Sequence, residues 1–151
     1  MEPRSSLPYL GPMPEFHILI IEDSPQDIEL LMEAVEIVSD RIVVESASSG
    51  DAGLQLLYQA ENQPSLILLD LNLPKKSGLE VLREIKRDPT LKTIPVIILT
   101  NSMSQDDVVS AYASHCNAYV RKGLGIDFLT QLITSLEQFW FQLASLPKLA
   151  D

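Results

Sequence analysis

Leu66-Ile67-Leu68-Leu69-Asp70-Leu71-Asn72-Leu73-Pro74, written LILLDLNLP, decides how this chain is read. Four aliphatic residues lead into one carboxylate, and two more leucines follow it. A segment this apolar belongs inside the protein. A carboxylate buried there without a partner costs several kcal/mol. Asp70 therefore needs company at the end of a buried strand, and the company must come from elsewhere in the sequence.

The pattern around this stretch repeats. FHILII (16–21), IVVES (42–46), LILLD (66–70), IPVIILT (94–100) and AYVRK (118–122) are short apolar runs, several rich in β-branched residues, and each predicts a strand. Amphipathic segments separate them. Ser24-Pro25 opens a helix with Pro at its first position, and Ile28, Leu31, Met32, Val35 and Val38 share one face. Leu54 and Leu57 belong to a second helix, and Leu79, Leu82 and Ile85 to a third. Ser104 with Asp107 predicts a capping box at the start of a fourth. A fifth begins near Ile126 and runs to about Leu146, with Pro147 as its stop.

Five strands alternating with five helices predict an α/β fold with a doubly wound parallel sheet. At this length the flavodoxin-like (βα)5 arrangement, strand order 2-1-3-4-5, is favoured over the dinucleotide-binding one. Strands 1 and 3 are then neighbours where the winding reverses, and ligands collect beyond their carboxyl ends. The expected organisation is a flexible lead-in over 1–15 broken by four prolines, one domain over 16–146, and a short tail over 147–151 with no output domain after it.

Composition narrows the function. With 11 Lys and Arg against 21 Asp and Glu, the net charge is −10, which repels nucleic-acid phosphates. No apolar run approaches the ~20 residues of a membrane span. The single cysteine, Cys116, excludes an internal disulfide and fits the cytoplasm.

On the predicted order, the carboxylates of Glu22, Asp23 and Asp70 crowd together at the switch point, faced by the Thr100 hydroxyl and the Lys122 ammonium. Three such carboxylates repel unless a cation intervenes, and an all-oxygen set suits Mg²⁺. The arrangement suits receipt of a phosphoryl group. The ion and Lys122 would neutralise the transferring oxygens while Asp70 attacks, giving an acyl phosphate.

These residues resemble the receiver domains of two-component response regulators. ILIIEDSPQD is similar to that family's acidic-pair segment, LILLDLNLPKKSGLEVL to its phosphoacceptor segment, VIILTNS to its switch-threonine segment and AYVRKG to its lysine segment. The lysine-rich turn after Pro74 and the C-terminal LEQFWFQLASLP resemble the single-domain regulators paired with cyanobacterial phytochromes. The resemblance implies that Asp70 accepts phosphate from a histidine kinase, possibly a phytochrome. It implies that Asp23, Asp70 and the main-chain carbonyl of Asn72 ligate Mg²⁺ directly, with Glu22 acting through water. Lys122 would pair with the phosphoryl oxygens, Thr100 would turn its hydroxyl onto one of them, and Tyr119 would swing inward. The signal would leave through the face of helix 4, strand 5 and helix 5.

Three positions depart from the family pattern. Glu22 stands where Asp is common. Asn101 follows the switch threonine where a smaller residue is usual, which would restrict donor access and lengthen the signal. Gly123 follows Lys122 where many members carry a cis-proline; a cis bond there would cost about 2.5–4 kcal/mol, so a trans link or a locally rearranged loop is expected.

Taken singly, each site residue has a plainer explanation: helix-dipole carboxylates at Glu22 and Asp23, turn formers at Asp70 and Asn72, a strand-end threonine, a solvated lysine. Their joint placement at four strand ends favours function. His17 and His115-Cys116 lack further ligands at metal spacing and are read as structural. Gly123-Leu124-Gly125 lacks the third glycine of a nucleotide loop.

In the last helix Leu129, Leu132, Ile133, Leu136, Phe139, Trp140 and Leu143 form a wide apolar stripe, with Phe128 and Phe141 outside it. So broad a stripe predicts a homodimer through helices 4 and 5 and strand 5. The leading rival function is a haloacid-dehalogenase-type phosphatase, which also forms an aspartyl phosphate but needs a second Asp at position 72 and a nucleophile on its first strand. A non-cycling binding module of the same fold is the other.

Overall fold

The strand Leu66–Leu69 lies at the middle of the sheet, and each of its residues is at most 1% exposed. Its uninterrupted apolar run follows from that position, because a central parallel strand is covered on both faces. The computed structural model describes residues 15–147. Residues 1–14 of the lead-in expected over 1–15, and residues 148–151 of the tail expected over 147–151, lie outside the described residues.

In chain order the elements are β1 (Phe16–Ile21), α1 (Pro25–Val38), β2 (Ile42–Ala47), α2 (Gly50–Gln59), β3 (Leu66–Leu69), α3 (Gly78–Arg87), β4 (Val96–Thr100), α4 (Gln105–Ala113), β5 (Ala118–Arg121) and α5 (Gly125–Leu136). A 3₁₀ turn, Leu91–Thr93, precedes β4. The five strands are all parallel, in the order β2-β1-β3-β4-β5. This is the predicted flavodoxin-like (βα)5 arrangement.

Alternation along the strands separates two cores. Leu19, Ile21, Ile67, Leu69, Val96 and Ile98 point to the face covered by α2, α3 and α4, where Leu54, Leu57, Val81, Leu82, Ile85 and Ala111 pack. Ile18, Ile20, Leu66, Leu68, Ile97 and Leu99 point to the other face, covered by α1 and α5 through Leu31, Ala34, Val35, Leu129, Leu132, Ile133 and Leu136.

Three local expectations need correction. β3 and β5 stop one residue short of Asp70 and Lys122, and β4 begins at Val96, so both site residues open loops at the strand ends. The capping box at Ser104 is only half formed. The Ser104 hydroxyl accepts from the Asp107 amide, but the Asp107 carboxylate takes the Ser102 hydroxyl, and the Ser104 amide turns to Ser102 Oγ. The full box caps α3 instead, between Ser77 and Glu80.

The last helix also departs from expectation. The α-helix ends at Leu136, and Glu137–Leu143 continues as π-helix, closed by a bond from the Ala144 amide to the Phe139 carbonyl. Hydrogen bonds five residues apart place Phe141 below Leu136 on the buried side. Phe141 stacks on Phe16 with centroids 4.3 Å apart. Phe139 and Leu143, assigned to the stripe by α-helical spacing, are exposed.

His115 stands at φ 73°, in the left-handed region, where it closes α4. Its amide bonds to the Tyr112 carbonyl and that of Cys116 to Ala111, the paired bonds of a Schellman motif. Glycine reaches that conformation without a Cβ penalty. His115→Gly should therefore raise unfolding free energy by about 0.5–1 kcal/mol, seen as a higher urea midpoint at unchanged slope. A lower midpoint would show that the imidazole makes a contact that matters more than backbone strain.

Candidate functional site

The pairing of β1 with β3 puts the ends of both strands side by side. The Asp70 amide donates to the Ile21 carbonyl at 3.0 Å, and the Glu22 amide to the Ala47 carbonyl at 3.0 Å. Glu22 and Asp70 are buried and Asp23 is exposed. One carboxylate oxygen from each of the three lies within 4.8 Å of the others. Among the described residues no other three His, Cys, Asp or Glu side chains gather in this way. His17, His115 and Cys116 lie outside this cluster.

Lys122 reaches the cluster from the end of β5, where its amide donates to the Thr100 carbonyl at 2.8 Å. Its ammonium lies 2.6 Å from Glu22 Oε1, 2.9 Å from Asp27 Oδ2 and 3.6 Å from Asp70 Oδ2. Burial works against the charged ammonium, but the bonds it donates to Glu22 and Asp27 and the field of Asp70 override it and raise its pKa. Lys122 is thus protonated throughout the physiological range. Burial also raises the Glu22 pKa, ahead of the opposing bond from Lys122, and the Asp70 charge adds to the rise. The site holds more negative charge than one lysine balances, which is what a bound cation would relieve. The donor set is all oxygen and partly open to solvent, and it fits a hard divalent ion.

A second set of bonds leads away from Asp70. Asp70 Oδ1 accepts the Asn72 amide at 3.1 Å. Asn72 Nδ2 donates to Thr100 Oγ1 at 3.3 Å, and the Ser102 amide donates to the same oxygen at 3.4 Å. The half-buried Tyr119 donates its hydroxyl to the Ser102 carbonyl at 3.3 Å. The residues named from sequence, Glu22, Asp23, Asp70, Asn72, Thr100, Tyr119 and Lys122, therefore form one connected group.

Sequence reading missed three members. Asp27 holds Lys122 from the first turn of α1; its spacing of four from Asp23 on a helix start was the available signal. Ser102 joins Thr100 to Tyr119 through its own backbone. Gly78 lets α3 approach the end of β3: a Cβ there would lie 2.0 Å from the Asp70 carbonyl oxygen. Gly123 has a comparable reason, since a Cβ would lie 2.6 Å from the Phe128 ring beneath the loop. No peptide bond among the described residues is cis, in keeping with the expected trans link there.

Comparison with known proteins identifies the family. Residues 18–134 match the response regulator receiver domain. The chain is 42% identical over 135 residues to response regulator Rcp1 of Synechocystis sp., covering 86% of this chain and 92% of that one. Among solved structures it is similar to the phosphorylated cyanobacterial phytochrome response regulator RcpA, with TM-score 0.83, 40% identity, and 89% and 99% of the two chains covered. It is also similar to the Mn²⁺-bound form of Rcp1, with TM-score 0.79, 39% identity, and 88% and 99% covered. With the acidic cluster, the strand-end lysine and the threonine brought to one edge of the sheet, the chain belongs to the response regulator receiver domain family.

Proposed function

We propose that this protein is a phosphorylation switch in which Asp70 takes a phosphoryl group from the phosphohistidine of a kinase. A carboxylate oxygen of Asp70 attacks phosphorus, the P–N bond breaks, and the imidazole leaves, giving an acyl phosphate on Asp70. The observation that carries this reading is the convergence of Lys122 and three carboxylates at one edge of the sheet. Glu22, Asp23 and Asp70, with the main-chain carbonyl of Asn72, would hold Mg²⁺, which when bound neutralises the transferring oxygens. The Mn²⁺-bound structure of the relative Rcp1 supports a divalent ion in this role.

The transfer adds about 1.5–2 negative charges beside Asp70. Thr100, which accepts bonds from Asn72 and Ser102 in this structure, then gives its hydroxyl to a phosphoryl oxygen. Tyr119, bonded to the Ser102 carbonyl, follows inward, and the face of α4, β5 and α5 repacks. Val109 and Tyr112 of α4 are exposed and give that helix apolar surface. A homodimer through this face is part of the proposal, as is a phytochrome kinase as donor. The relatives Rcp1 and RcpA, a response regulator and a phytochrome response regulator, support the latter. Among the described residues no helix is long and apolar enough to cross a membrane. We place the protein's work in the cytoplasm, without direct nucleic-acid contact, as a non-enzymatic signalling domain over 16–146.

The phosphatase reading loses ground on two observations. Position 72 carries an amide where an acid/base is required, and Asp70 follows the third strand.

Labelled phosphate from a histidine kinase should load at most one equivalent per chain, and Asp70→Asn should abolish loading. Many turnovers of a small phosphate ester would instead establish the phosphatase. Mg²⁺ at about a hundredfold over its Kd should stabilise the fold by about 2.7 kcal/mol, read as a higher melting midpoint. Asp23→Asn should remove most of that gain, and an unchanged gain would take Asp23 out of the ion site. Sedimentation at micromolar concentration should show a dimer; a monomer alone, phosphorylated or not, removes the dimer from the proposal.

A further inference from the structure

Lys122 contacts three carboxylates, and they are not equivalent. Glu22 and Asp70 belong to the cluster whose oxygens could share one cation, whereas Asp27 does not. An ion on that cluster competes with the ammonium for Glu22 and Asp70 and leaves Asp27 untouched. Asp27 then becomes the nearer remaining partner, 2.9 Å away against 3.6 Å for Asp70.

Its placement suits a partner that can let go. Asp27 lies in the first turn of α1, where the Ser24 hydroxyl accepts its amide and steadies the backbone. Its side chain is 38% exposed, against 4% for Glu22, 8% for Asp70 and 11% for Lys122. Water screens an exposed carboxylate more than a buried one, so its attraction for the ammonium is the weaker kind. A cavity of about 200 Å³ borders the pair, lined by Asp27, Asn101, Lys122 and Gly123 among others, and gives the lysine side chain room to move.

We propose that Asp27 is a positioning residue, the resting partner that holds the Lys122 ammonium short of Asp70 and yields it when a phosphoryl group arrives. It acts through Lys122 and touches neither phosphorus nor the cation. The inference rests on Asp70 being the phosphoacceptor.

The test is binding of beryllofluoride, a tetrahedral stand-in for the phosphoryl group, at saturating Mg²⁺. Asp27→Asn should raise its affinity about three- to tenfold by freeing the ammonium. Asp27→Glu should return it to within about twofold of the wild type. In a Lys122→Gln background the Asp27→Asn change should have no effect. Unchanged or weaker binding by Asp27→Asn overturns the inference, and so does an equal gain in the Lys122→Gln background, which would reveal a general field effect. If the wild-type protein itself takes up neither beryllofluoride nor labelled phosphate, the acceptor reading fails and this inference with it; if it takes up both and Asp27→Asn is unchanged, only the role of Asp27 fails.

Discussion

The ion pairing of Lys122 with the carboxylates at the ends of β1 and β3 is the constraint on which this structure depends. Parallel pairing of those strands brings Glu22 and Asp70 together, and both are buried. Coulomb repulsion and lost hydration oppose that arrangement. One ammonium within 4 Å of Glu22, Asp27 and Asp70 offsets part of the cost and leaves a net negative pocket. That residual charge gives the site its appetite for a divalent ion. The structure thus carries a local instability at its functional edge, supported by two well-packed cores below it.

The same edge connects chemistry to surface. Asn72 donates its backbone amide to the Asp70 carboxylate and its side-chain amide to the Thr100 hydroxyl oxygen. Ser102 then links Thr100 to Tyr119 on β5. Each bond is modest, with net worth of about 0.5–1.5 kcal/mol. Bonds of this size can rearrange while the strands beneath stay paired. On the other side of Asp70, Gly78 seats the start of α3 against its carbonyl.

Much of this was legible in the chain. The buried run ending in Asp70, the acidic pair after β1, and the strand-end Thr100 and Lys122 identify the fold and most of the site, because they depend on local periodicity and side-chain chemistry. Errors gathered where neighbours compete for one group. Asp107 abandons the capping box because Ser102 offers it a hydroxyl. Phe141 turns inward because Phe16 offers a ring to stack on, and the helix widens to π geometry in that segment. Neither partner is close enough in the pattern to be read from spacing alone.

The sequence alone determined which segments are strands and helices, how they order into a parallel sheet, and which polar residues stand at its carboxyl edge. A strand's alternation and a helix's stripe are written in adjacent residues, so they need no knowledge of the rest of the chain. Only the tertiary structure decided that Lys122 is shared with Asp27, that Gly78 lies against Asp70, and that Ser102 joins Thr100 to Tyr119. Lys122 and Asp27 are 95 positions apart, and a bond of 2.9 Å between them exists only once five strands have fixed where each loop ends.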